Sequence, residues 1–317
     1  MSLILPFLAT AGWADAVQSP LAGDASARRY LRLKGAQGRA VLMIAPPDQG
    51  QSFAAFLSIA NYLKGLGLSA PEVLAADAAA GLMLMEDLGD RRLARLMGSE
   101  RNLAYDAAAA VLHRIAEAPL APGIAVLNPA QMAQMTDLTF DLLDGSDTLR
   151  AVILPALAAA LARHAGGAAV TALRDYHADN LIWMPDRAGA ARVGLLDFQD
   201  AVALPQGYDL ASLVDDVRRD VPAALRERLI ADFATQTGVP PDQAMARIDV
   251  LSLQRNLRIL GVFRRLSLVG KDGYRRFLPR TADLIRRAVA NPALTPMAAP
   301  VQDLLARTRH WAQDGTG

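Results

Sequence analysis

The 317-residue chain has no cysteine, so disulfides, thiolate metal centres and thiol nucleophiles are excluded. That composition suits a reducing compartment, and the cytoplasm is the simplest assignment. Lysine is nearly absent, confined to Lys34, Lys64 and Lys271. Neither sign of charge dominates: 33 basic residues face 32 acidic ones, and the net charge of +1 gives no global field for nucleic acid or an anionic membrane. Any anion binding must therefore be local, and neither nucleic acid nor membrane is expected as a partner. Membrane-length apolar runs are also missing, because the most apolar stretch, Ala151 to Val170, is broken by Pro155, Arg163, His164, Gly166 and Gly167. It reads as a buried helix with a glycine C-cap. Met1 to Ala14 is apolar but no Lys or Arg precedes its apolar stretch, so a packed amphipathic helix is expected there rather than a signal segment.

What remains is a folding composition. Hydrophobic residues make up 52% and charged residues 21%, which excludes disorder, while 23 Gly and 18 Pro exclude collagen-like or low-complexity sequence. The length exceeds what one hydrophobic core usually serves, so two subdomains are expected, with a cleft as the default site.

Two textures follow along the chain. Arg28 to Ile44 reads as two strands joined by a turn through Lys34-Gly35-Ala36-Gln37-Gly38. Phe53, Phe56, Leu57, Ala60 and Leu63 then recur at helical spacing. The short apolar run Leu82 to Met85 stops at Glu86-Asp87-Leu88-Gly89-Asp90, where the composition turns polar. A boundary is placed there, dividing the chain into 1–87 and 88–317. Beyond it, Asn102 to Ala118, Leu149 to Ala165, Pro222 to Thr237, Gln243 to Leu268 and Thr281 to Ala290 read as helices. One polar island, Arg174 to Asp200, interrupts them.

That island carries the chemistry. Two strand-like runs, Leu181 to Met184 and Val193 to Leu196, place Asp175 and Asn180 before the first and Asp197 after the second. A small hairpin would bring these oxygens to one end. Magnesium takes oxygen ligands, usually one or two protein carboxylates with phosphates and waters, so Asn180 and Asp197 could supply the protein share. Asp175 could then accept a proton from a hydroxyl attacking a phosphoryl group.

Asp175-Tyr176-His177-Ala178-Asp179-Asn180 resembles the DxHxxN loop of the aminoglycoside phosphotransferase and choline kinase superfamily, and Asp197-Phe198-Gln199 resembles its DFG segment. Gly23 to Tyr30 is similar to the nucleotide-covering loop of that family, Met85 to Gly89 to its hinge, and Tyr208-Asp209-Leu210-Ala211 to the segment bracing the catalytic loop. Gly23-Asp24-Ala25-Ser26, Arg28-Arg29-Tyr30, Ala45-Pro46-Pro47, Leu173 to Asn180, and Gln254 to Gly261 further resemble bacterial anomeric kinases of N-acetylmuramate and N-acetylglucosamine used in cell-wall recycling. The resemblance implies an α+β, protein-kinase-like two-lobed fold, with a small antiparallel-sheet N-lobe and a larger, mainly helical C-lobe. It implies ATP and Mg2+ as cofactors, Asp175 as catalytic base, Asn180 and Asp197 as metal ligands, and Asp209 and His177 as supporting groups behind them. It also implies that backbone groups of Glu86, Asp87 and Leu88 meet adenine and that the Ser26 region lies over the phosphates.

The chain departs from the family at three points. Leu173 stands where the catalytic loop usually has histidine, no lysine lies in Arg39 to Ile44, and no acidic residue lies between Ser52 and Lys64. Another cation must meet the phosphates. Arg28 is favoured for its proximity to the loop, with Arg29 and Arg32 as alternatives, because a guanidinium fork can hold phosphate oxygens bidentately.

Each signal also has a plainer reading. Asp175, Asn180 and Asp197 could be ordinary turn residues, Ser26 and Asp24 a turn cap, and His177 a hydrogen-bonded core histidine. The joint spacing favours the catalytic reading for the three oxygen groups and the structural one for His177. Arginines 255, 258, 264 and 265 could form a solvated helix face, or Arg255 and Arg258 could line the acceptor pocket. A polycationic acceptor calls for an acidic pocket, whereas the helices after Asp209 are mildly basic, which suits a neutral or anionic amino sugar. Three functions are carried forward: an ATP-dependent amino-sugar kinase, a kinase for an aminoglycoside or another small alcohol, and a non-catalytic nucleotide-binding module.

Overall fold

The computed structural model describes residues 3–21, 28–46 and 50–313. Its strands are β1 (Val17–Leu21), β2 (Arg29–Gly35), β3 (Gly38–Ile44), β4 (Val73–Asp77), β5 (Leu82–Glu86), β6 (Ala169–Ala172), β7 (Leu181–Trp183), β8 (Val193–Leu195) and β9 (Val202–Pro205). Its early helices are α1 (Ile4–Thr10), α2 (Gly50–Gly65), α3 (Gly98–Ala116), α4 (Pro129–Gln134), α5 (Asp137–Asp141) and α6 (Asp147–His164). Five more follow: α7 (Tyr208–Val214), α8 (Ala223–Thr237), α9 (Pro241–Leu268), α10 (Leu278–Val289) and α11 (Thr295–Thr308). Two compact units result, one formed by Met1–Gly123 with Ala178–Ala201 and the other by Ile124–His177 with Val202–Gly317. The position 87/88, where the polar turn begins, lies inside the first unit.

The first unit is built on a five-stranded antiparallel sheet in the order β1-β2-β3-β5-β4. The expected hairpin is present, with Gly35 opposite Gly38 at its turn. Period-2 alternation sends Leu33, Ala40, Leu42, Leu82 and Leu84 to one face, where they bury against Leu8 of α1 and Trp13. Removing a Leu-sized side chain from water is worth about 1.5–3 kcal/mol, which is enough to dock a seven-residue helix that could not persist alone. Helix α2 buries Phe53, Phe56, Ala60 and Leu63 of the stripe expected from the sequence, with Ile59 buried in place of Leu57, which is half-buried. The later hairpin β7–β8 also belongs to this unit, as does the α3 helix. Gly194 of β8 has no room for a side chain, since a Cβ there would lie 2.9 Å from Leu88 and 3.2 Å from Ile182.

The second unit is helical around α9, a 28-residue helix whose middle turns are buried on nearly every side. Burial all round is the condition for a helix at the centre of a bundle. Its polar residues consequently need internal partners. Gln254 donates to the Met132 carbonyl at 2.7 Å, and Asn256 donates to Ser252 at 3.1 Å. Gly261 lets α5 approach closely: a Cβ would meet Thr139 Oγ1 at 2.6 Å and its amide at 2.7 Å. A buried ionic cluster ties four elements together. Arg226 of α8 reaches Asp215 at 2.8 Å and Asp249 of α9 at 2.6 Å, while Arg287 of α10 also pairs with Asp215 and Asn291 donates to Asp249. Burial opposes ionised Asp215, yet Arg226 and Arg287 more than offset it and hold its carboxyl below the usual range. The short antiparallel pair β6–β9, with Ala172 opposite Val202, frames the start of the polar island.

Candidate active site

In the second unit, β6 leads directly into Leu173-Arg174-Asp175. Asp209, on the first turn of α7 and 5% exposed, accepts the Leu173 amide at 2.6 Å and the Arg174 amide at 2.9 Å. One carboxylate thus holds two successive amides immediately before Asp175. Arg174 takes a left-handed backbone, φ 69°, a conformation a non-glycine residue keeps only when its surroundings over-determine it. The bend continues with the Asp175 amide donating to the Leu173 carbonyl at 2.9 Å and the His177 amide donating to the Asp175 carbonyl at 3.0 Å. His177 is 3% exposed, so it packs within the loop. Burial pushes the Asp209 carboxyl up to about 7, against the pull of its two amide donors and of Arg255.

In the first unit, Asn180 and Asp197 are neighbours, with Asn180 Nδ2 3.5 Å from Asp197 Oδ2. Several contacts fix that approach. Leu196 N donates to the Asn180 carbonyl, Leu195 N donates to the Ser69 carbonyl, and Arg92 grips the carbonyl of Asp179 at 3.0 Å. Asp197 also has a left-handed backbone, φ 59°, and accepts Gln199 Nε2 at 2.9 Å. Next to it, Phe198 is fully buried and stacks on Phe56 of α2, ring centroids 4.8 Å apart. These two side chains offer hard oxygen donors, which fit a magnesium ion that also takes phosphates and water. They do not make a protein-only cage, and among the described residues no group of three or more His, Cys, Asp or Glu gathers to hold a metal.

The remaining expected site residues distribute as follows. Ser26 and the loop around it lie outside the described residues. Arg28 stands half-buried just before β2, and Arg29 is exposed. Arg32 is committed elsewhere: its guanidinium donates to Asp90 at 2.7 and 2.8 Å and faces Asp87 at 2.8 Å. Arg28, which also has an interaction partner, and Arg29 are the other guanidinium groups at the start of this strand. Met43 on β3 is 1% exposed. Glu86 is engaged by Arg187 at 2.5 Å, and its amide donates to the Glu72 carbonyl. Asp87 accepts Gly89 N at 2.9 Å, which shapes the turn carrying Leu88. Arg255 is 3% exposed on α9, while Arg258 is half-buried. The charges of Tyr208, Asp175 and Asp216 favour the Arg255 guanidinium, but burial outweighs them and its pKa is lowered.

Residues 17–249 match the phosphotransferase enzyme family. Among curated proteins, the chain is 34% identical to an N-acetylmuramate/N-acetylglucosamine kinase of Caulobacter vibrioides, over 92% of this chain and 93% of the relative. It is 28% identical to one from Pseudomonas aeruginosa, over 93% and 90%. Among solved structures it is similar to a choline/ethanolamine kinase family protein from Mesorhizobium loti, with TM-score 0.65, 16% identity and coverage of 95% and 96%. An aminoglycoside phosphotransferase from Streptomyces rimosus, solved with ADP and streptomycin, aligns with TM-score 0.54 and 21% identity over 78% and 97%. These likenesses bear out the α+β kinase-like fold, and with the match across most of its length the chain belongs to the phosphotransferase enzyme family.

Proposed function

We propose that this protein is an ATP- and magnesium-dependent kinase that phosphorylates an N-acetylated amino sugar, N-acetylmuramate or N-acetylglucosamine, at its anomeric hydroxyl, in cell-wall recycling. The observation that carries the reading is the 34% identity to the Caulobacter vibrioides kinase of those sugars, sustained over 92% of the chain. The local geometry agrees with it. Asp175 follows a backbone clamped by Asp209, as a base that must point one way requires, and Asn180 with Asp197 presents a hard-oxygen pair.

In this mechanism Asp175 accepts the proton of the acceptor hydroxyl as its oxygen attacks the γ-phosphorus in line with the departing ADP oxygen. Asn180 and Asp197 would hold magnesium, which supplies neutralisation of phosphate charge when bound. Arg28 stands in for the missing β3 lysine and, with the Ser26 loop, contacts phosphate oxygens. Backbone groups near Asp87 and Leu88 meet adenine. Arg258 lies on the acceptor side. Asp209 and His177 act only through the loop they hold. The cytoplasm, where ATP is available, is the proposed location; no helix among the described residues is long and apolar enough to cross a membrane.

The test is transfer of radiolabelled γ-phosphate to a panel containing both acetylated sugars, choline and kanamycin. Turnover of the sugars is expected, and turnover of kanamycin or choline in their place would replace the reading. Asp175→Asn is expected to lose about 10²–10⁴ in rate, and wild-type transfer by that variant would refute the assigned base.

A further inference from the structure

The segment joining α7 to α8 is rich in acid, yet every carboxylate in it is taken by an arginine other than Arg218. Asp215 is held by Arg226 and Arg287, Asp216 by Arg219 at 3.1 Å, and Asp220 by Arg280. Asp216 also accepts the Arg218 backbone amide at 2.8 Å, which fixes where that residue leaves the chain. The Arg218 side chain is half-buried and lies over the ring of Phe263, 5.9 Å from its centroid, and no carboxylate among the described residues pairs with it. On α9, Arg255 is 3% exposed, its Nη1 is buried without a hydrogen-bond partner, and it too has no ion pair among the described residues. The charges of Arg218 and of Asp175 both act on Arg255, so the three belong to one neighbourhood within the second unit. Neither guanidinium makes an ion pair with an acid among the described residues, although Asp175 and Asp216 act on Arg255, and a carboxylate arriving within reach of both would give them a paired anion. An aromatic face beside Arg218 leaves its donors uncommitted to that ring, and a guanidinium presents them in a planar fork matched to a carboxylate.

We propose that Arg218, on Phe263, and Arg255 form an anion subsite on the acceptor side of Asp175, and that it takes the lactyl carboxylate of an acidic amino sugar. The inference rests on the sugar-kinase reading and adds to it the group that distinguishes the two acceptors, since N-acetylglucosamine carries no carboxylate. The subsite therefore sets the preference between them.

The experiment compares kcat/KM for N-acetylmuramate with kcat/KM for N-acetylglucosamine on one preparation of full-length enzyme, so that the fraction folded cancels from the ratio. Arg218→Gln is expected to shift that ratio about 10- to 100-fold toward the neutral sugar, chiefly through the KM of the acidic one, since a charge-assisted hydrogen bond to a carboxylate is lost. Arg218→Lys keeps the charge without the fork and should move the ratio less, in the same direction. Should Arg218→Gln give no active protein, the lysine variant alone decides. Wild-type enzyme that uses both sugars, with a ratio that neither substitution moves, overturns the subsite and leaves the kinase reading standing. Wild-type enzyme that uses neither sugar overturns both.

Discussion

Replacing Asp209 by asparagine should change how the stability of the protein depends on pH. In the folded chain the Asp209 carboxyl has its pKa at about 7, against an ordinary value of 3.8, because burial disfavours its charge more than two amide donors and Arg255 restore it. A group whose folded pKa lies above its unfolded one binds more protons in the folded state. Its stabilising contribution is thus complete below about pH 4 and is lost as the pH rises through about 7. The gap between about 7 and 3.8 corresponds to something on the order of 4 kcal/mol, more than half of which is lost between pH 5 and pH 8. Asparagine cannot titrate. It can accept only one of the two amides of Leu173 and Arg174, and its own NH2 faces the other, a pH-independent cost of about 1–3 kcal/mol. The variant should therefore be the less stable protein at pH 5 and should recover ground on the wild type by roughly 2–3 kcal/mol by pH 8. Urea unfolding of both proteins across that range, followed by far-ultraviolet circular dichroism, measures the difference, and titrating groups that do not interact with Asp209 cancel in it. Parallel curves would refute the assignment of this proton to Asp209. The variant should also transfer phosphate more slowly at every pH, because the left-handed Arg174 would be held by one amide contact instead of two.

Three further outcomes follow from the packing. Arg226→Met leaves Asp215 and Asp249 without their shared cation and should cost about 3–5 kcal/mol, read as a large fall in melting temperature; a change under about 1 kcal/mol would mean that Arg287 and Asn291 suffice. Gly261→Ala drives a methyl into the Thr139 backbone and should destabilise by about 1–3 kcal/mol, lowering the melting temperature by several degrees; an unchanged melting curve would show that α5 yields freely. Arg28→Ala should weaken nucleotide binding about tenfold, measured by calorimetry with a non-hydrolysable ATP analogue, whereas Arg32→Ala should weaken it less, its guanidinium being held by Asp87 and Asp90. No loss in any of Arg28→Ala, Arg29→Ala and Arg32→Ala would end the idea of a substitute cation here.

Periodicity made the buried elements legible. The β2–β3 hairpin, α2, α9 and the β7–β8 pair all carry an apolar stripe or run that survives reading in one dimension. Strands β1 and β4 were invisible for the opposite reason: they lie at the two edges of the sheet, mostly exposed, with Pro20 in one and a run of alanines in the other. Helix α11 hid behind Pro300, which ordinarily argues against a helix interior. At the site, the catalytic loop was readable because its chemistry is packed into a few consecutive residues. Arg32 with Asp87, Arg187 with Glu86, and the arginine left over in the α7–α8 segment were not, since each depends on partners 55 to 101 positions apart or on which acids are already taken. No spacing rule reports an unpaired charge; it emerges only after every other pair has been assigned.

The excursion of residues 178–201 has a bearing on how this protein can be cut or rearranged. The stretch carrying Asn180 and Asp197 interrupts the second unit in sequence while its contacts belong to the first. A fragment ending at Gly123 would leave Glu100 without the indole of Trp183 and Glu86 without Arg187, and a fragment beginning at Ile124 would carry an orphaned β-ribbon. Neither half is a heritable module. Recombination, proteolytic dissection or split-protein engineering would succeed only by moving the ribbon with the sheet, which makes the two lobes a single unit of inheritance despite their separate cores.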